Sequence, residues 1–189
     1  MATLALFDFD HTLYKKDSLL EFTKFHCQNQ YYWGLLKLMP FLVGLKLGVL
    51  NNEKVKLKYF KHFFEGIDYA AFCVSATNFA KEKIDSNINQ LICAKFLQHI
   101  HAGDQIYIVT ASAAEWIQPW SEQFGVNVIG TAIEIENGKL TGGFSTPNCY
   151  GQQKVDRIIE SVDLDYFDKI YVYGYGKGDR EMLRIQKSV

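Results

Sequence analysis

The sequence predicts an α/β protein: a mostly parallel sheet flanked by helices, with an all-helical cap inserted after the first strand. Short apolar runs at 4–7, 105–110 and 169–173 each stop at polar or glycine residues, the length and punctuation of buried strands. Residues 17–85 show only helix-spaced apolar patterns, so the core is expected from 1–16 and 86–189 and the cap from 17–85. At 189 residues and 48% apolar content, the chain suffices for one core with such an insert. Its 20 basic and 21 acidic residues leave a net charge of −1, which gives no global pull toward nucleic acid. The balance is uneven, because residues 31–64 hold six lysines against Glu53 alone. Cysteines 27, 73, 93 and 149 form no C-x-x-C pair and have no histidine at zinc spacing, so they read as thiols of a reducing compartment. No basic leader precedes the first apolar run, and a cytoplasmic location is expected.

The first strand, Leu4-Ala5-Leu6-Phe7, ends in Asp8-Phe9-Asp10-His11-Thr12. In open α/β sheets ligands sit at the carboxyl ends of strands, so two acids arrive where chemistry is expected. Residues 8 and 10 would share one face of a continued strand, and a buried face does not tolerate two bare carboxylates. The chain must therefore turn after Phe7. Both acids can then line one cleft, where close like charges call for a cation or a shared proton; a divalent metal meets that need.

After the strand, Ser18-Leu-Leu-Glu21 fits a capping box opening a helix through Phe22, Phe25 and His26. Tyr31 to Leu50 holds only two charges and matches a membrane span in length. Lys37, Lys46, Pro40 and three glycines instead favour a kinked helical hairpin, with an interfacial membrane-touching helix as the second option and a true span as the third. A helix starting at Asn52-Glu53 interleaves Val55, Leu57, Phe60 and Phe64 with Lys54, Lys56, Lys58 and Lys61, which reads as an amphipathic helix with a solvated basic face. Helices from Asp68 to about Lys83 and from about Asn87 to His101 follow, the second closed by Gly103.

The second strand ends in Thr110-Ala-Ser112, and Ser112 with Glu115 fits another capping box, placing Thr110 beside helix-start amides. Val126–Ile129 is a third strand, and Asn137-Gly138 joins 131–135 to 140–144 as a hairpin. Lys154 sits in a first helical turn after Gly151, a position the helix dipole disfavours for a cation unless an anion accompanies it. The last strand runs into Gly174-Tyr-Gly-Lys-Gly-Asp179. Its third glycine is misplaced for a dinucleotide loop, and no acid follows at ribose distance.

Asp8-Phe9-Asp10-His11-Thr12, Thr110, Lys154 and the Gly174–Asp179 loop, in that order, resemble the four signatures of the haloacid dehalogenase superfamily, and the helical insert resembles the cap of its phosphoserine-phosphatase-like branch, subfamily IB. The resemblance implies a Mg2+-dependent phosphomonoester hydrolase. Asp8 would be the nucleophile, forming an aspartyl phosphate, and Asp10 the general acid and base. Thr110 and Lys154 would bind the phosphoryl group, and Asp8, the Asp10 carbonyl and Asp179 would hold the metal. One departure stands out: Tyr175 occupies the place of the usual first metal-binding acid, which makes a weakened or silent binding protein the alternative reading. Relatives usually continue into a further strand after this loop. Members that hydrolyse phosphoserine use a cap arginine, whereas no arginine precedes Arg157 here. Asp17 could serve as the acid that holds the amine. The aromatic, leucine-rich, basic stretch instead suits a small-molecule or lipid phosphomonoester, with peripheral membrane contact through 31–64, and the resemblance extends to phosphatidylglycerophosphate phosphatases of the branch.

Overall fold

The computed structural model describes residues 2–49 and 51–187, so Leu50, the end of the apolar stretch, lies outside the described residues. Four parallel strands form one sheet in the order β3-β2-β1-β6, from β1 (Thr3–Phe7), β2 (Gln105–Val109), β3 (Asn127–Ile129) and β6 (Lys169–Tyr173). β1 is central: Phe7 lies opposite Ile108 on one side and Tyr173 on the other. Strand alternation sends Leu4 and Leu6 to one face, among Val109, Ile158 and Met182, and Ala5 and Phe7 to the other, among Phe96, Ile108 and Trp120. Both faces are covered, which is why β1 reads as an unbroken apolar run. After β6 the chain returns so that Lys187 pairs antiparallel with Ile170 on the sheet's outer edge.

Helices α1 (Ser18–Cys27), α2 (Gln30–Lys46), α3 (Asn52–Phe64) and α4 (Tyr69–Phe79) follow β1, and α5 (Gln90–Ala102) leads into β2. α4 continues through a π-helical turn, Ala80–Ile84, and a 3-10 turn, Asp85–Asn87. The chain's exit from β1 and its return run side by side, with Tyr14 bridging Ile88 and the Asn89 amide donating to the Leu13 carbonyl at 2.9 Å. Phe22 of α1 is the hub of the helical layer, with its ring 5.0–5.8 Å from those of Trp116, Phe72, Phe79 and Phe64. Trp116 belongs to the segment after β2, so one continuous aromatic core spans the helical layer and the sheet. The hairpin β4 (Ile133–Glu136) and β5 (Lys139–Phe144) braces the helices from outside the main sheet: Phe144 meets Phe60 at 4.7 Å, and Leu140 exchanges backbone hydrogen bonds with Gly66 and Ile67. Gly142, at φ 79°, lies so close to α3 that a Cβ would stand 2.7 Å from the Lys61 Cα.

Two expectations need correction here. Tyr31–Lys46 is not a hairpin but part of one helix, α2, running through Pro40. Pro40 has no N–H to offer the Leu36 carbonyl, but both residues are exposed, and packing against α3 keeps the helix whole. Among the described residues no helix is long and apolar enough to cross a membrane. The cap of α1 is Asp17, whose side chain accepts from the Leu20 amide at 3.0 Å, rather than Ser18. Ser18 is displaced because its own amide is taken by the site described next.

Candidate active site

Three neighbouring strands end at the same edge of the sheet, which sets Asp8 after β1, Thr110 after β2 and the Gly174–Asp179 loop after β6 side by side. Backbone bonds hold the tips, from the Asp8 amide to the Tyr173 carbonyl at 2.8 Å and from the Thr110 amide to the Ile129 carbonyl at 2.9 Å. The fourth contributor is α6 (Gln152–Ser161), which enters from Gly151 at φ 60° and puts Lys154 in its first turn. Asp8, Thr110, Lys154 and Asp179 are almost fully buried.

Lys154 ties the group together. Its Nζ donates to Asp8 Oδ1 at 2.6 Å, Asp179 Oδ1 at 2.7 Å and the Val109 carbonyl at 2.8 Å. Thr12 Oγ1 donates to the other oxygen of Asp8 at 2.7 Å, and the Gly176 amide to the other oxygen of Asp179 at 2.7 Å. Burial pushes the Asp8 carboxyl up to about 6, against the pull of Lys154 and with a smaller push from Asp179. Burial also opposes the charge on Lys154, but the two carboxylates outweigh it and hold its ammonium above the usual lysine range.

Asp10 lies apart from that triad, in a second polar cluster. One oxygen accepts from the Ser18 amide at 2.5 Å; the other accepts from Ser112 Oγ at 2.7 Å and Thr110 Oγ1 at 3.2 Å. Ser112 was expected to cap a helix with Glu115. Instead the segment is a 3-10 turn, Ala114–Trp116, with no side-chain cap, and the Ser112 hydroxyl donates to the Asp10 carboxylate, a charge-assisted bond. Ser18 Oγ, Ser112 Oγ and the Trp116 indole NH form a buried chain behind Asp10, with links of 3.1 and 3.0 Å. One end of α1 and the loop after β2 thus fix where Asp10 points.

Lys56 of α3 is the residue that sequence reasoning misplaced. It is not on a solvated face. Its Nζ reaches across to the Ala111 carbonyl at 2.6 Å and Asn148 Oδ1 at 2.5 Å, close to Asp10 and Asp17. Burial pulls its ammonium down to about 8, although Asp10 and Asp17 act in the opposite direction. Burial likewise raises the Asp17 carboxyl, with Asp10 adding to the effect. At 100° per residue Lys54, Lys58 and Lys61 share one side of α3 while Lys56 falls among Val55, Tyr59 and Phe60, a signal that the reading of a single solvated basic face overlooked.

Two buried carboxylates sharing one ammonium leave an excess negative charge at Asp8 and Asp179, the hard-oxygen donor set that suits Mg2+, which is content with one or two carboxylates and retained waters. No group of three acid, histidine or cysteine side chains converges among the described residues. The reason is visible in Asp10, whose carboxylate is turned to Thr110, Ser112 and Ser18 and does not join Asp8 and Asp179. Tyr175 is exposed. A cavity of about 730 Å3 between α1 and α4, lined by Lys16, Lys24, Ser75 and Lys83 among others, contains none of these acids; chemistry rather than volume locates the site.

Residues 5–184 match the family model of haloacid dehalogenase-like hydrolases. The chain is 31% identical over 184 residues to Protein CicA of Caulobacter vibrioides, which covers 96% of the chain and 82% of that protein. It is 23% identical over 209 residues to a histidinol-phosphatase of Neisseria meningitidis, covering 98% of the chain and 87% of that protein. Among solved structures, a Bordetella pertussis protein of unknown function superposes with a TM-score of 0.80 at 23% identity, over 99% of this chain and 88% of that one. A phospho-aspartyl intermediate analogue of phosphoserine phosphatase superposes at 0.62 with 18% identity, over 98% and 83%. The chain therefore belongs to the haloacid dehalogenase-like hydrolases, and phosphatases stand among both its sequence relatives and its structural neighbours.

Proposed function

We propose that this phosphatase cleaves a phosphomonoester through a covalent phosphoryl group on Asp8. The observation that carries the reading is the Asp8–Lys154–Asp179 triad at the strand ends, with Asp10 held separately 2.7 Å from Ser112. Asp8 attacks phosphorus as the bond to the leaving oxygen breaks, and Asp10 hands its proton to that oxygen. Water then attacks the acyl phosphate, its proton passes to Asp10, and inorganic phosphate leaves as Asp8 is restored. Thr110 and Lys154 hold the equatorial oxygens, where charge stabilisation contributes most of the rate. Asp8, the Asp10 carbonyl and Asp179 are the residues that would hold Mg2+. Bound there, the ion would neutralise repulsion between the nucleophile and the incoming phosphate. The helices over residues 17–85 serve as the cap, with Lys56 as its contribution to the site.

The substrate reading follows from that lysine. An ammonium supplies charge but not the planar two-pronged fit of arginine to a carboxylate, so phosphoserine should be a poor substrate. Lysophosphatidic acid in detergent is expected to give the higher kcat/KM in a direct comparison, run with and without Mg2+; a clear preference for phosphoserine would sink this assignment.

Lys56 also sets an expected pH dependence. Its ammonium is charged below about 8 and neutral above, so the positive charge facing the site fades as pH rises through that value. The kcat/KM for a phosphomonoester should fall along an alkaline limb centred near 8. Lys56→Arg, which stays charged, should move the limb upward, and Lys56→Met should remove it while lowering kcat/KM at pH 7. An unchanged limb in both variants would assign the titration to another group.

A further inference from the structure

The outer face of α2 carries a second, solvent-exposed apolar arc. At about 100° per residue, Tyr32, Trp33, Leu36, Met39, Val43 and Leu47 fall within one arc of roughly 120°, and Pro40 lies inside it. All are exposed, Trp33 to 70% and Leu47 to 72%. A lysine stands just beyond each edge of the arc, Lys37 past Trp33 and Lys46 past Met39, and both are exposed. The opposite side of the helix, Tyr31, Gly34 and Leu38, is buried, with Gly34 so close to Phe63 that a Cβ would stand 2.3 Å from its ring. The arc is therefore not a core face awaiting α3; it is a second apolar face on a helix already packed.

Charge identifies the occupant. Beside the Lys37 edge, α2 and α3 frame a groove of about 660 Å3 lined by Lys37, Lys54, Lys58 and Lys61 together with Phe41 and Leu57. Its one acid, Glu65, is paired with Lys61 at 3.3 Å, and the Lys58 ammonium lies 3.7 Å from the centre of the Phe41 ring, so Lys37, Lys54 and Lys58 remain without an acidic partner among the described contacts. An apolar stripe with a tryptophan near one end, lysines along both rims and a cationic groove alongside suits a helix lying in the plane of an anionic bilayer. There the apolar arc enters the acyl boundary while the lysine stems reach back to headgroup phosphates. A second copy of this chain would bring the same lysines against one another and has no such complementarity.

We propose that α2 docks the protein onto anionic lipid bilayers through Tyr32, Trp33, Leu36, Met39, Val43 and Leu47, with Lys37, Lys46, Lys54 and Lys58 engaging headgroups. Binding does not depend on the hydrolytic reading, so the test needs no turnover. Trp116 and Trp120 are buried, which makes Trp33 the exposed indole and a built-in probe. The full chain is mixed with vesicles of phosphatidylcholine alone or of phosphatidylcholine with phosphatidylglycerol, followed by flotation and tryptophan emission. The expected result is flotation and a blue shift, quenched by brominated lipid, with the anionic vesicles only, and loss of both in high salt. Leu36→Glu should abolish flotation, and Lys58→Glu or Lys37→Glu should weaken it roughly five-fold or more, while far-UV circular dichroism stays unchanged. Flotation with neither vesicle, equal flotation with both, or a dimer in light scattering that Leu36→Glu dissociates would overturn the proposal.

Discussion

Asp8→Asn is expected to reduce phosphomonoester hydrolysis by at least about four orders of magnitude while leaving the fold intact or firmer. An amide oxygen cannot attack phosphorus and leave again as a carboxylate does. The replacement is nearly isosteric, so Asn at position 8 can still offer an oxygen to Lys154 and a group to Thr12, whose partners now sit at 2.6 and 2.7 Å. Stability should move the opposite way from activity. Burial raises the Asp8 carboxyl from 3.8 to about 6, so this group favours the folded state most below pH 4 and loses that advantage as pH rises through 6. At pH 7 the ionised side chain opposes folding, by about 3 kcal/mol as an upper figure. The metal-free Asp8→Asn protein should therefore unfold at higher urea concentration than the parent at pH 7, with the gap closing toward pH 4. Residual turnover above about one part in a hundred would transfer the nucleophile's role elsewhere. A variant less stable than the parent at pH 7 would contradict the electrostatic account.

Much of this site was legible in the sequence because its parts lie where regular structure stops. Asp8, Thr110 and Gly174 each follow an apolar run, and such runs were buried strands in every instance. Asn137 and Gly138, at φ 51° and 75°, are the left-handed pair a two-residue hairpin turn demands, and the hairpin formed where the dipeptide stands. The misses share a different cause, competition among neighbouring polar groups that only tertiary structure decides. Asp17 and Ser18 could each cap α1; the Asp10 carboxylate claims the Ser18 amide, which leaves the cap to Asp17. Ser112 could cap a helix or bond Asp10, and the acid took it. Lys56 is the exception: its place among Val55, Tyr59 and Phe60 on the inward side of α3 was readable at 100° per residue, and the Ala111 carbonyl and Asn148, 55 and 92 residues away, receive it.

Lys154→Met should cost more stability than any other single change at the site, because it strips the common partner from two buried acids. Asp8 and Asp179 each lie within 2.7 Å of the Lys154 ammonium and are at most 7% exposed, so neither carboxylate can recover its lost contact from water. Removing one member of a buried ion cluster typically costs about 3–5 kcal/mol, and the Val109 carbonyl loses a donor as well. Urea denaturation at pH 7 should show a loss of that size. The loss should shrink as pH falls, since a proton shared between the two acids can stand in for the ammonium. Mg2+ should restore part of it, and more than it adds to the parent, if Asp8 and Asp179 are the residues that hold the ion. Lys154→Arg should not rescue, because a planar fork cannot direct one donor to each of three acceptors placed around a single nitrogen. Activity should fall by about two to three orders of magnitude even where the protein remains folded, reflecting charge lost at the transferring phosphoryl group. A Lys154→Met protein as stable as the parent, or one that Mg2+ stabilises no more than the parent, would show that the acids are compensated by something other than this lysine and the cation the family employs.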